Sequence, residues 1–163
     1  MKRILSVLLA ASLGILGASL SPNSVVCEKD SQTFWPHVYH PDRLKIIAPC
    51  FTVSGTVDHI SRPRDGDTHI RLTLDPAFEH ILNDGNRLYQ HGALVVEIVC
   101  AYPVTLKVAK ASCEAFHNPL GVPQIGDHII VVGPLVEDRG HHSWREIHPV
   151  YEWRKAEVNS EHR

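Results

Sequence analysis

Five short strand-like runs lie between residues 50 and 154, and the period-two alternation of apolar and polar residues that opens them constrains the chain more than any other feature. In "CFTVSGTVDHI", Phe51, Val53, Gly55 and Val57 fall on one face and Thr52, Ser54, Thr56 and Asp58 on the other. "SRPRDGD" follows as a turn, with Asp65-Gly66 as its hairpin signal. "THIRLTLD" alternates again, with Ile70, Leu72 and Leu74 inward. "ALVVEIVCAY" is almost continuously apolar and reads as a third strand. "IGDHIIVVGPLVED" is the fourth, bent at Gly133-Pro134, and "SWREIHPVYEW" is the fifth. "PAFEHILNDG" reads as one or two helical turns, with Pro76 in the first turn and Gly85 as a C-terminal stop. "VAKASCEAFHN" reads as a short helix ended by Asn118-Pro119. Five short strands with a helix between the third and fourth is the order of an OB-fold, a small all-β Greek-key barrel. Gly55 suits that barrel, because glycine lets a first strand bend sharply enough to join both sheets. A plain β-sandwich is the alternative.

The ends of the chain speak to its compartment. Residues 1–20 carry Lys2 and Arg3 and then an uncharged apolar run, Ile4–Leu20. This is the pattern of a secretory signal peptide, cut near Ala18; an uncleaved anchor is the alternative. Cleavage leaves no stable membrane span and a secreted or periplasmic protein. Residues 21–49 form an N-terminal extension without a core of its own, with Trp35, Tyr39 and Leu44 expected to lie on the main domain. Residues 50–154 make up the OB-fold-like domain, and 155–163 form a polar tail.

The cysteines agree with export. Cys27, Cys50, Cys100 and Cys113 make an even count, which in an exported chain implies two disulfides. Three connectivities are open; the favoured one closes a short loop between Cys100 and Cys113 and staples the extension through Cys27 and Cys50. A thiolate zinc site needs CxxC-like pairs, and none is present.

Charge bears on partners. Removing Lys2 and Arg3 from the 16 basic residues leaves 14 against 18 acidic ones, a formal charge of −4 with His neutral. A basic footprint for nucleic acid is therefore missing, although the 12 histidines titrate near neutrality and raise the charge in acid. Arg62 and Arg64 in "SRPRDGD" suit phosphate, but Asp65 and Asp67 offset them. Phe51, Tyr102, Trp144 and Trp153 are the aromatics available for base stacking, and alternation assigns Phe51 to the core.

The densest polar segment is "HHSWREIHPVYEW", residues 141–153. On a strand, Trp144, Glu146 and His148 share one face and Arg145 and Ile147 the other. Asp67 and His69 show the same two-residue spacing in the second strand. Asp67, His69, Glu146 and His148 together make an N/O ligand set suited to zinc, with manganese and magnesium chemically open. The bland alternative is a solvated polar cluster on a barrel rim, with Glu146 paired to Arg71 or Arg145. Glu97, inside "LVVEIVC", is either a buried carboxyl with a raised pKa or a residue on a solvent-facing side, with Arg71 and His148 as its nearest expected partners. His141 and His142 suit proton transfer, but no nucleophile accompanies them; G-x-S-x-G and P-loop patterns are absent.

The blocks "RLKIIAPCFTVSGTV", "DGDTHIRLTLD", "LVVEIVC", Cys113, "GDHIIVVGPLVED" and "WREIHPV" together resemble a group of secreted bacterial and archaeal proteins of unassigned function. Those proteins look like OB-fold domains of the nucleic-acid-binding type. The resemblance covers about residues 43–151; Ser143 stands where that group often has glycine. It implies export and fold and supplies no activity.

The expectation is an exported, disulfide-stabilised OB-fold module, leaning away from an enzyme. It binds an unidentified ligand or protein partner through a polar rim of Asp67, His69, Arg71, Glu97, Trp144, Glu146 and His148. A metal-dependent hydrolase, acting on phosphodiesters through the same rim, is the alternative. Single-stranded nucleic-acid binding comes third, disfavoured by charge.

Overall fold

A computed structural model describes Cys27 and residues 30–157. The expected signal peptide, most of the start of the extension and the end of the tail lie outside the described residues. Among the described residues the chain is mostly β, with six strands in one mixed sheet. They are β1 (Leu44–Ser61), β2 (Thr68–Leu74), β3 (Leu94–Ile98), β4 (His128–Asp138), β5 (Trp144–Ile147) and β6 (Glu152–Lys155). The helical pieces are short: residues 30–34, α1 (Asp84–Tyr89), and 3-10 turns at Trp35–His37, Pro41–Arg43, Pro76–Ile81 and Lys107–Cys113. No helix among the described residues is long and apolar enough to cross a membrane.

Pairing runs β1-β2-β3-β5-β4, and β4 returns to β1, so the strands form a ring. All the neighbours in the ring are antiparallel except β3 and β5, which are parallel. The ring is uneven, since β1 has 18 residues and β5 has 4. Gly55 stands where β1 holds both partners, opposite Leu74 of β2 and Ile129 of β4. A Cβ there would sit inside van der Waals contact of the Thr73 carbonyl oxygen, so only glycine admits the approach. Inward residues follow the alternation. Val53, Val57, Ile70, Leu72, Leu74, Val96, Ile129, Val131 and Ile147 form the main core.

A second apolar cluster lies under the extension. Cys27, Phe34, Val38 and Leu44 meet Val99, Cys100, Val136 and Tyr151 there. Both disulfides have the favoured connectivity, Cys27–Cys50 and Cys100–Cys113. Two disulfides fit an oxidising location.

Three local expectations need correction. The first strand starts at Leu44, ahead of the alternation that begins at Cys50, because bulges at Ile46/Ala48 and Ala48/Phe51 carry the ladder through Pro49. Gly85 does not stop a helix but lies within α1, pressed against the backbone of His142 and Trp144. The fifth strand does not run to Trp153. It ends at Ile147, before Pro149, which has no N–H for a ladder. The chain then bows out toward β3, with Val150 N–H donating to the Glu97 carbonyl at 2.9 Å. It rejoins the same edge of β4 as β6, opposite residues 129–132, so Lys155, expected in the tail, belongs to a strand.

Candidate functional site

Strand parity decides which side chains meet. On β3, Leu94, Val96 and Ile98 face the main core, so Val95 and Glu97 face the opposite side. Register places His69 of β2 against Glu97, and Glu146 of β5 against Val95. The polar residues thus gather on the outer face of β2, β3 and β5, the side the extension covers, and not on a solvated rim. Glu97 is 7% exposed, Asp67 2%, and Glu146 and His148 0%. The solvent-facing alternatives for Glu97 and for the Glu146–His148 cluster are therefore overturned. The physical reason is that Val136, opposite Glu146 on β4, packs in the cluster with Phe34, Val38 and Leu44, while Trp144 lies against Glu146 and His69.

Within the cluster the contacts are specific. Trp144 Nε1 donates to Glu146 Oε2 at 2.8 Å. His148 Nδ1 lies 2.9 Å from Glu146 Oε1 and 3.1 Å from Glu97 Oε2. His69 Nδ1 lies 3.7 Å from Glu97 Oε1. Asp67 Oδ1 accepts from the backbone N–H of Cys100 at 2.8 Å, which ties this carboxylate to the Cys100–Cys113 disulfide. Asp67, Glu97 and His148 each offer a ligand atom, and these atoms lie within 4.8 Å of one another. Glu97 therefore enters the set of possible ligands, while Glu146 and His69 of the expected set flank it. The Nε2 atoms of His148 and His69 are buried without a hydrogen-bond partner.

Arg71 stands apart. Its Nε donates to Asp58 Oδ1 at 3.1 Å, so it does not compensate the buried acids. Arg43 does not meet them either. Its Nε pairs at 2.9 Å with Asp138, a fully buried acid that also bonds His141 Nδ1 at 2.7 Å. His142 stacks on Tyr89, and His141 on Trp144.

Burial dominates the electrostatics. It pushes Glu97 up to about 8, with Glu146 and Asp67 adding to the rise, while His148 opposes it. It raises Asp67 to about 7, helped by Asp65, and Glu146 to about 7, helped by Asp138. Burial lowers His69 to about 4, with His141 and His148 contributing, and lowers His148 as well. Arg43, paired with Asp138, lowers all three carboxyls from a distance but does not offset burial, so they stay neutral or half-ionised beside two neutral imidazoles.

Residues that sequence reasoning did not flag hold the cluster in place. Asn83 and Asn86 cap α1 reciprocally. Buried Asn86 also donates to the carbonyls of Ala93 and Arg145 at 3.0 and 2.8 Å and accepts from Arg145 N–H at 2.9 Å. Asn83 donates to the Ser143 carbonyl at 2.7 Å. These bonds fix the start of β5 and so aim Trp144 and Glu146. "NDGN" after an apolar pair is a capping signal, but its tie to residues 143–145 is not local.

The stacking candidates are mostly committed to packing. Phe51 and Trp153 lie against the main core, Trp153 donating to the Leu120 carbonyl at 3.1 Å, and Trp144 is buried. Tyr102 carries the Arg62 guanidinium over its ring at 4.1 Å.

A scan against protein-family models finds no match, and a search of curated proteins finds no relative.

Proposed function

We propose that this protein is an exported, disulfide-stapled OB-fold module whose ligand is a divalent transition-metal ion, zinc foremost, held by Asp67, Glu97 and His148. One observation carries the reading: three ligand atoms converge within 4.8 Å in a buried site whose acids no Lys or Arg among the described residues pairs with directly, Arg43 acting on them only at a distance. Two carboxylates and one imidazole are a donor set zinc accepts. A divalent ion neutralises the two ligating carboxylates, which no Lys or Arg side chain among the described residues contacts. Glu146 orients the His148 ring, and Trp144 orients Glu146, in the manner of the outer carboxylates of metal-bound histidines. The strand ring with its parallel β3–β5 pair supports the OB-fold reading.

Burial favours binding over hydrolysis. With His148 at 0% and Asp67 at 2% exposure, a phosphodiester chain has no route to the ion. The ion stabilises and organises the face that the extension covers.

Thermal unfolding of chelated protein, with and without added zinc, tests the reading. The expected result is one zinc per chain and a rise in Tm equivalent to about 2.7 kcal/mol at a hundredfold excess over Kd. His148→Ala is expected to remove that response. No bound zinc and an unchanged wild-type Tm would exclude the metal.

A further inference from the structure

Asp67 faces two ligand sets. Besides Glu97 and His148, its carboxylate lies within 4.8 Å of the sulfurs of Cys100 and Cys113, which are themselves within that distance of each other. In the oxidised protein those sulfurs are bonded together and supply no thiolate. Both cysteines line an open groove of about 690 Å³, whose wall includes Lys107, Lys110, Tyr102 and Phe116. Cys100 is 1% exposed and Cys113 is half-buried, so a reductant reaches Cys113 from the groove. Asp67 is held toward Cys100 by a backbone bond that does not depend on the S–S link.

We propose that the Cys100–Cys113 disulfide masks a second, redox-controlled zinc site, with the two thiolates and the Asp67 carboxylate as ligands once it is reduced. The reductant is a dithiol. Its first thiolate attacks Cys113 Sγ, the S–S bond breaks, and Cys100 Sγ leaves as a thiolate. The reductant's second thiolate then attacks its own sulfur in the mixed disulfide and releases Cys113 Sγ. Two electrons pass to the protein, and the reductant ends as a disulfide. Zinc binds the two sulfurs and the Asp67 oxygen, and any thiol proton goes to water. Two soft sulfurs and one oxygen suit zinc better than a hard cation. The groove leaves a fourth position for water or an incoming ligand. The lysines on its wall favour the thiolate form. The site differs from the Asp67–Glu97–His148 set in requiring reduction and in not using His148.

The test uses the full chain with cobalt as a spectroscopic probe, reduced by a phosphine that contributes no thiolate of its own. The expected result is one equivalent of cobalt with a sulfur-to-cobalt charge-transfer band in the reduced, folded protein and none in the oxidised protein. Asp67→Asn, which keeps both cysteines, is expected to weaken that binding at least about tenfold. His148→Ala is expected to leave the band intact, which separates this site from the one proposed above. The proposal is overturned if the reduced protein shows no band, if near-ultraviolet circular dichroism shows the fold lost on reduction, or if the band persists in Cys100→Ser/Cys113→Ser and so belongs to the other pair.

Discussion

Glu97→Gln is expected to make the metal-free protein more stable at about pH 8 while weakening zinc binding more than about tenfold. The two effects have one cause. Glu97 is 7% exposed and faces Glu146 and Asp67, with burial as the largest influence on it. In the unfolded chain its carboxyl is ionised and hydrated at that pH. In the metal-free fold it either retains a proton or carries a charge in a poorly solvated site, and both cost stability. Glutamine keeps the shape and removes the ionisation. The gain is on the order of 1–3 kcal/mol, allowing for imperfect hydrogen bonding by the amide. The metal loses a charged ligand at the same time. Urea denaturation in a chelator, with a parallel zinc titration, reads both effects. A loss of stability at about pH 8 would mean that His148 and the more distant Arg43 already compensate the carboxylate and that no metal ion is required.

The second large effect is the pH dependence of the metal-free protein. Asp67, Glu97 and Glu146 are raised to about 7, 8 and 7, so the fold binds their protons more tightly than the unfolded chain does. Their contribution is present in acid and is lost as pH rises from the ordinary carboxylate range through these values. His69, lowered to about 4, and His148, also lowered, act in the opposite sense, losing stability as pH falls below 6.5. Between 6.5 and about 8 the imidazole limb is complete and only the carboxylate limb acts. Chelated protein is therefore expected to lose stability across that interval. Zinc-loaded protein is expected to hold or gain stability there, because the ion binds the deprotonated ligands and binds more tightly as pH rises. Urea midpoints at a series of pH values, with and without zinc, check this. Parallel curves for the two forms would contradict it.

Much of this was legible in the sequence, and the reasons differ by element. Alternation in "CFTVSGTV" and "THIRLTL" assigned Val53, Val57, Ile70 and Leu72 to the core, because a strand with one buried face must repeat every two residues. The same rule put Trp144, Glu146 and His148 on one face, where Glu146 joins the other two by hydrogen bonds. The orientation of Glu97 was not legible. A strand buried on both sides shows no period, and what covers its second face is the extension, distant in sequence. Arg71 shared a face with His69 in the alternation, yet its long side chain reaches across to Asp58 on β1. The break between β5 and β6 turns on Pro149 and on the outward bow that places Val150 beside Glu97, a tertiary contact that local propensity does not encode. Asn83 and Asn86 carried a local capping signal and a non-local task at once, and only the first can be read from spacing.

The central claim is that a buried set of protonated acids exchanges its protons for a metal ion. Calorimetric titration of chelated protein with zinc at about pH 7, repeated in two buffers of different ionisation enthalpy, measures that exchange directly. The expected result is one zinc bound per chain with release of at least about one proton, seen as a buffer-dependent heat. Absence of saturable binding, or binding whose heat is the same in both buffers, would contradict it.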